Sequence, residues 1–151
     1  MIAPVLSSNL PAKVVIDTNV LVAALLRSEG RNRQVIRACL EGRLRPILGE
    51  ALFLEYEAVL GRTELFRKSP LSEPERQRLL DAFLSVCEWV QIYYSWRPNL
   101  RDEADNHILE LAVAGGATMI VTNNVTDFRN AELQFPGIRT LTPLEVWKEL
   151  P

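Results

Sequence analysis

Two short runs, Val14-Val15-Ile16 and Met119-Ile120-Val121, are apolar at every position and end on polar residues. A strand with one wet face alternates apolar and polar side chains. A strand that is apolar throughout must be covered on both faces. Longer segments with helical spacing separate such runs. Thr18 or Asn19 can cap a helix over Val20–Leu26 that is apolar almost all round, and Gly42 stops a second one carrying Val35, Ile36, Cys39 and Leu40. Leu52, Phe53, Tyr56, Val59 and Leu60 mark a third, closed by Gly61; Ser72–Cys87 is a fourth, with Leu79, Leu80, Phe83 and Leu84 inward. Asp102–Gly115 is a fifth and Pro143–Leu150 a last one. Further short strands are predicted at Arg45–Leu48, Trp89–Tyr93 and Ile138–Thr140. Covered strands alternating with helices predict an α/β fold: a three-layer α/β/α sandwich on a parallel sheet of four to five strands.

The 151 residues fit one domain, taken as 13–151 after a loose N-terminal extension, 1–12, broken by Pro4 and Pro11. There is no basic leader and no apolar run of membrane-spanning length, so a cytoplasmic protein without a membrane partner is expected. Cys39 and Cys87 lie among apolar neighbours and form neither a metal motif nor a disulfide framework. Buried thiols in a reducing compartment are the reading that fits.

In a parallel sheet, ligands bind at the carboxyl ends of strands where the strand order reverses. Asp17 ends the first apolar run, and Thr122-Asn123-Asn124-Val125-Thr126-Asp127-Phe128 follows the later one. A lone Asp after a strand ordinarily caps the next helix, but Asp17-Thr18-Asn19 offers more capping groups than one helix needs. Asp102 and Asp105 share a helix face, although acids are common in a first helical turn. Glu55 alone reads as a surface residue, and the 122–128 segment as a polar turn held down by Phe128. Taken together, four or five carboxylates in one crevice would repel each other and take up protons unless a cation bound there. All-oxygen ligands suit Mg²⁺ or Mn²⁺, which stabilise in-line phosphoryl displacement.

The motifs Val-Val-Ile-Asp17-Thr18-Asn19-Val20-Leu21, Glu55-Tyr56…Val59-Leu60, Arg101-Asp102-x-x-Asp105-Asn106-x-Ile108-Leu109-x-Leu111-Ala112 and Ile120-Val121-Thr122-x-Asn124-x-x-Asp127-Phe128 stand in the order of PIN domains. Over about residues 13–147 the chain resembles PIN toxins of prokaryotic toxin–antitoxin systems. The resemblance implies Mg²⁺- or Mn²⁺-dependent endoribonuclease activity by metal-activated water, frequent homodimers, and inhibition by a small antitoxin protein. It assigns catalysis to Asp17, Glu55, Asp102, Asp105 and Asp127, with Asp17, Asp105 and Asp127 on the metal. Thr18, Asn19, Thr122 and Asn124 support them.

Many PIN domains carry Asp where this chain has Asn124, so Asp127 is the carboxylate offered in its place. Asn124 also favours the alternative of a catalytically weak or inactive RNA-binding or scaffold module. Gly49 stands where relatives often have Ser, a change expected to affect local capping only. A phosphoacceptor receiver domain would need a Lys after a late strand, but beyond residue 68 the sole Lys is Lys148, in the last helix. A dehalogenase-type phosphatase needs Asp where Asn19 stands.

The net charge of −2 gives no general pull toward nucleic acid. The basic residues are nevertheless uneven. Residues 1–80 hold 12 Lys/Arg against 9 Asp/Glu, and six Arg fall between Arg27 and Arg45. That stretch is either a solvated helix face or a phosphate-binding patch; Arg27, Arg31 and Arg101 are the candidate RNA contacts. His107 reads as an ordinary surface or half-buried residue. Trp89, Trp96 and Trp147 read as core or interface packing rather than base-stacking groups.

Overall fold

A computed structural model describes residues 11–92, 106–129 and 135–150. Five strands form one parallel sheet: β1 (Ala12–Ile16), β2 (Leu44–Leu48), β3 (Glu88–Trp89), β4 (Met119–Val121) and β5 (Arg139–Leu141). The helices are α1 (Thr18–Leu26), α2 (Arg31–Leu40), α3 (Glu50–Leu60), α4 (Glu73–Val86), α5 (Asn106–Gly115), α6 (Val125–Arg129) and α7 (Pro143–Glu149), with a 3₁₀ turn at Thr63–Phe66. Consecutive side chains of a strand face opposite ways. Val14, Val15 and Ile16 are all fully buried, as are Ile120 and Val121, so both faces of the sheet are covered. The expected three-layer sandwich is therefore the fold. The chain enters β1 at Ala12, which already pairs with Leu44.

The strand order is β3-β2-β1-β4-β5. The chain builds outward from β1 through β2 to β3, then crosses back to place β4 on the other side of β1. The order thus reverses between β1 and β4, and the crevice at their carboxyl ends is where such a sheet binds ligands. The register matches Ile16 with Val121, which sets Asp17 beside Thr122. The Asp17 amide donates to the Val121 carbonyl at 2.9 Å, and Thr122 N–H to Leu141 at 3.0 Å.

Local signals explain most boundaries. Ser72 and Thr142 each make a capping box with the Glu three residues on, followed by Pro, and so start α4 and α7. Gly42, at φ +78°, supplies the left-handed residue that ends α2. The first helix departs from expectation. Neither Thr18 nor Asn19 caps it; Asp17 holds the N-cap position, and its side chain makes no cap bond. The 122–128 segment is also more than a turn, because Val125–Arg129 form the short helix α6, with Phe128 buried beneath it. Gly49 does more than leave α3 uncapped. A Cβ there would stand 3.2 Å from Leu111 Cδ1, so the glycine lets α3 and α5 approach. The strand foreseen at Trp89–Tyr93 is Glu88–Trp89 in the structure; Tyr93 lies outside the described residues.

Cys39 is buried and Cys87 half-buried, both as free thiols. Burial pushes both up, Cys87 to about 12, so neither is a thiolate near neutral pH. Among the described residues no helix is long and apolar enough to cross a membrane.

Candidate active site

Asp17 is the centre of the crevice between β1 and β4. The apolar run before it carries its carboxylate to the sheet edge, and only 6% of the residue is exposed. Thr122 Oγ1 donates to Asp17 Oδ2 at 2.8 Å, and Asn19 Nδ2 donates to the same oxygen at 3.2 Å. These bonds account for the missing helix cap: the carboxylate is held across the crevice by residues from α1 and from the end of β4. Burial raises the Asp17 pKa above its ordinary range. The Thr122 hydrogen bond opposes that rise, and the charge of Glu55 adds to it.

Glu55 comes from α3, half-buried and facing the same crevice. Its carboxylate contacts His107 on α5, with Oε2 2.6 Å from Nε2. This hydrogen bond lowers the Glu55 pKa against the opposing effect of burial, so Glu55 is ionised at neutral pH. The Thr18 hydroxyl lies near Glu55. It is buried and reaches hydrogen-bond geometry with no described residue. Sequence reasoning assigned His107 no part in the site. Its signal is invisible along the chain, because the contact exists only through the packing of α3 on α5.

Tyr56, next to Glu55, points the opposite way into the core. Its hydroxyl donates to the Ile16 carbonyl at 2.5 Å, tying α3 to the last residue of β1.

The polar segment after β4 is organised around Asn19. Asn19 Oδ1 accepts from the Asn123 backbone N–H at 3.1 Å and from its side-chain amide at 3.3 Å. Asn123 Nδ2 also donates to Asn32 Oδ1 on α2 at 3.0 Å. The Asn124 backbone N–H donates to Thr122 Oγ1 at 3.0 Å, while its side chain is exposed. Asp127 is half-buried in the first turn of α6. Among the described residues no three His, Cys, Asp or Glu side chains gather closely enough to hold a metal ion. Arg101, Asp102, Asp105 and Trp96 lie outside the described residues.

The Arg-rich stretch divides. Arg45 pairs with Glu88 at 2.9 Å on the sheet edge, and Arg33 Nε donates to the Ala24 carbonyl at 2.8 Å. Arg27 and Arg37 are exposed. The Arg31 guanidinium lies 3.8 Å over the Trp147 ring. Trp147 and Trp89 are both exposed, so of the expected core or interface packing the core is excluded for them; Trp89 meets Phe53 edge-on.

Comparison with known proteins gives the arrangement a context. The PIN domain family matches residues 13–126. No curated protein matches the chain. Among solved structures, a chain in the crystal structure of VapBC2 from Rickettsia felis, bound to a DNA fragment from their promoter, is similar in fold at 18% identity and a TM-score of 0.57. The alignment covers 86% of this chain and 98% of that one.

Proposed function

The chain belongs to the PIN domain family, and from that premise we propose that it is a Mg²⁺- or Mn²⁺-dependent endoribonuclease, the toxin of a toxin–antitoxin pair. The observation that carries this reading is Asp17: a buried carboxylate at the switch point of the sheet, close enough to ionised Glu55 for the two charges to repel. The residues suit a hard cation. They offer oxygen donors, and the buried Thr18 hydroxyl has no hydrogen-bond partner among the described residues. Asp17, Asp105 and Asp127 would hold the ion. Bound there, it supplies charge neutralisation for an in-line displacement at phosphorus and a lowered pKa for a water molecule.

The chain's own groups do the rest. Thr122 and Asn19 fix Asp17; His107 fixes Glu55, whose ionised carboxylate orients the attacking water, a role that Asp102 shares. Water attacks phosphorus and loses a proton to solvent, the bond to the leaving ribose oxygen breaks, and that oxygen takes up a proton from solvent, leaving a phosphomonoester and a ribose hydroxyl. Arg27, Arg31 and Arg101 contact the RNA. Mn²⁺-dependent cleavage of a mixed RNA panel tests the reading. Cleavage that chelation stops is the expected result; intact RNA across the panel at millimolar Mn²⁺ would overturn it.

Metal should also stabilise the folded protein, because the site exists only when the chain is folded. A ligand at ~100-fold its Kd adds about 2.7 kcal/mol, or roughly 5–10 °C in Tm for a chain of this size. Differential scanning fluorimetry with and without Mg²⁺ or Mn²⁺ reads this directly. An unchanged Tm at millimolar metal would remove the metal site.

Asp127 and Asn124 separate the active enzyme from the second reading, an inactive RNA-binding or scaffold module, which Asn124 favours. Asn124 contributes no charge, and its side chain is exposed, whereas Asp127 is half-buried. Asp127→Ala should therefore lose at least ~10-fold more activity than Asn124→Ala, the scale on which partners of a metal site act. Equal activities would leave the site to Asp17, Glu55, Asp102 and Asp105.

The partner is a small antitoxin that reaches the acidic crevice with a basic side chain. The similar fold of a chain from a VapBC2 complex supports an antitoxin as the class of partner. Co-expression with the small neighbouring gene product should recover both proteins together; recovery of this chain alone would favour a free-standing RNA-processing enzyme.

A further inference from the structure

The crevice continues beyond the carboxylates. Four side chains form an unbroken hydrogen-bonded string: Asp17 to Asn19 at 3.2 Å, Asn19 to Asn123 at 3.3 Å, and Asn123 to Asn32 at 3.0 Å. The string ends on Asn32, the residue after Arg31 in α2; the Arg31 guanidinium carbon lies 3.8 Å from the centroid of the Trp147 ring, and the group is steered by a 2.7 Å hydrogen bond to Gln34 Oε1. Trp147 is 40% exposed, so the Arg31–Trp147 pair stands at the surface. Arg31 also lines a hollow with Ser28, Glu29, Arg33, Gln34 and Arg37, which is predominantly basic despite Glu29.

We propose that Arg31 and Trp147 form a subsite for an unpaired nucleotide flanking the scissile phosphodiester, its base stacking on the outer face of the Arg31 guanidinium. The substrate is then single-stranded at that position. Guanidinium planes and aromatic rings both stack unpaired bases, and a base buried in a duplex presents no free face to them. The Asn19–Asn123–Asn32 string provides neutral amides along the path, suited to ribose and base edges rather than to phosphate alone. Trp147 acts as a positioning residue, holding the Arg31 plane level. This inference rests on the nuclease reading for the location of the scissile bond, and its test avoids catalysis.

The test uses the Asp17→Asn protein without divalent metal, titrated with a fluorescent, 2′-O-methylated single-stranded RNA and with the same sequence as a duplex. Stacking of one base is worth about 1–3 kcal/mol, or roughly 5- to 150-fold in Kd. Arg31→Lys keeps the charge and loses the plane, so it should bind the single strand at least about 5-fold more weakly, with little change in salt dependence. Trp147→Ala should lose similarly and Trp147→Phe should recover most of the loss, which a merely structural role at α7 would not produce. Equal binding by parent and Arg31→Lys overturns the proposal in favour of a simple charge contact, as does equal affinity for the duplex. A Trp147→Ala protein that changes from dimer to monomer in sedimentation without changing RNA affinity overturns it in favour of an interface between copies. If the wild-type protein cleaves no RNA while the Arg31→Lys difference persists, the nuclease reading fails and the nucleotide subsite stands.

Discussion

Asp17→Asn is expected to remove RNA cleavage and, at the same time, to raise the Tm of the metal-free protein at neutral pH. The activity loss follows from position. Losing an outer partner of a metal site costs ~10–100-fold, and Asp17 stands at the centre of the proposed site, so its loss should exceed that range. The stability gain follows from electrostatics. The buried carboxylate has a pKa above its ordinary value of 3.8, chiefly because burial penalises its charge. The folded state therefore binds the proton more tightly than the unfolded state. Stability is greatest below the unfolded pKa and falls as pH rises through the window between 3.8 and the raised folded value. An Asn does not titrate, and its carbonyl oxygen can still accept from Thr122 and Asn19. The variant should thus melt higher than wild type at pH 7, with the gap closing as the pH approaches the ordinary Asp value. Added Mg²⁺ or Mn²⁺ should stabilise the wild type and leave the variant behind. A variant that cleaves RNA like the wild type, or that melts lower at pH 7 without metal, would contradict the role given to Asp17.

The sequence was most informative where burial leaves no choice. Met119–Val121 is a strand at the predicted residues, because three consecutive apolar β-formers between a glycine-rich turn and polar residues have few other uses. The place of Asp17 at a sheet edge was legible for the same reason. Its contact with Thr122 needed the strand order, since two residues so far apart in the chain become neighbours only when β4 returns beside β1. Tertiary packing also decided what propensity missed. Val125–Arg129 is too short for periodicity to reveal, and Phe128 anchors it from below. His107 and Glu55 lie on different helices, each unremarkable in its own sequence window. Edge strand β3 pairs with β2 alone, so the apolar character of Val90 and Ile92 extended the expected strand beyond Trp89.

The second large effect belongs to Tyr56, where the core and the crevice meet. Its ring is fully enclosed, tilted against Phe83 with centroids 6.1 Å apart, and its hydroxyl holds the Ile16 carbonyl. Truncating a buried aromatic to Ala costs about 3–5 kcal/mol, a large part of the ~5–15 kcal/mol by which a domain is stable. Tyr56→Ala should lower Tm by roughly 6–20 °C. Tyr56→Phe keeps the ring and removes the donor from a buried carbonyl, at about 1–3 kcal/mol. The smaller variant is the sharper test of function. Ile16 precedes Asp17 and Tyr56 follows Glu55, so this one hydrogen bond fastens together the two backbone segments that carry the carboxylates. Once it is lost, the segments can shift relative to each other while the substrate-binding surface around Arg31 is untouched. In Tyr56→Phe, kcat should therefore fall while KM stays near the wild-type value, with activity assayed well below the Tm of the variant. A wild-type kcat in a protein of measurably lower Tm would mean that the tie between α3 and β1 supports the fold alone and that the Asp17–Glu55 spacing is set by other contacts.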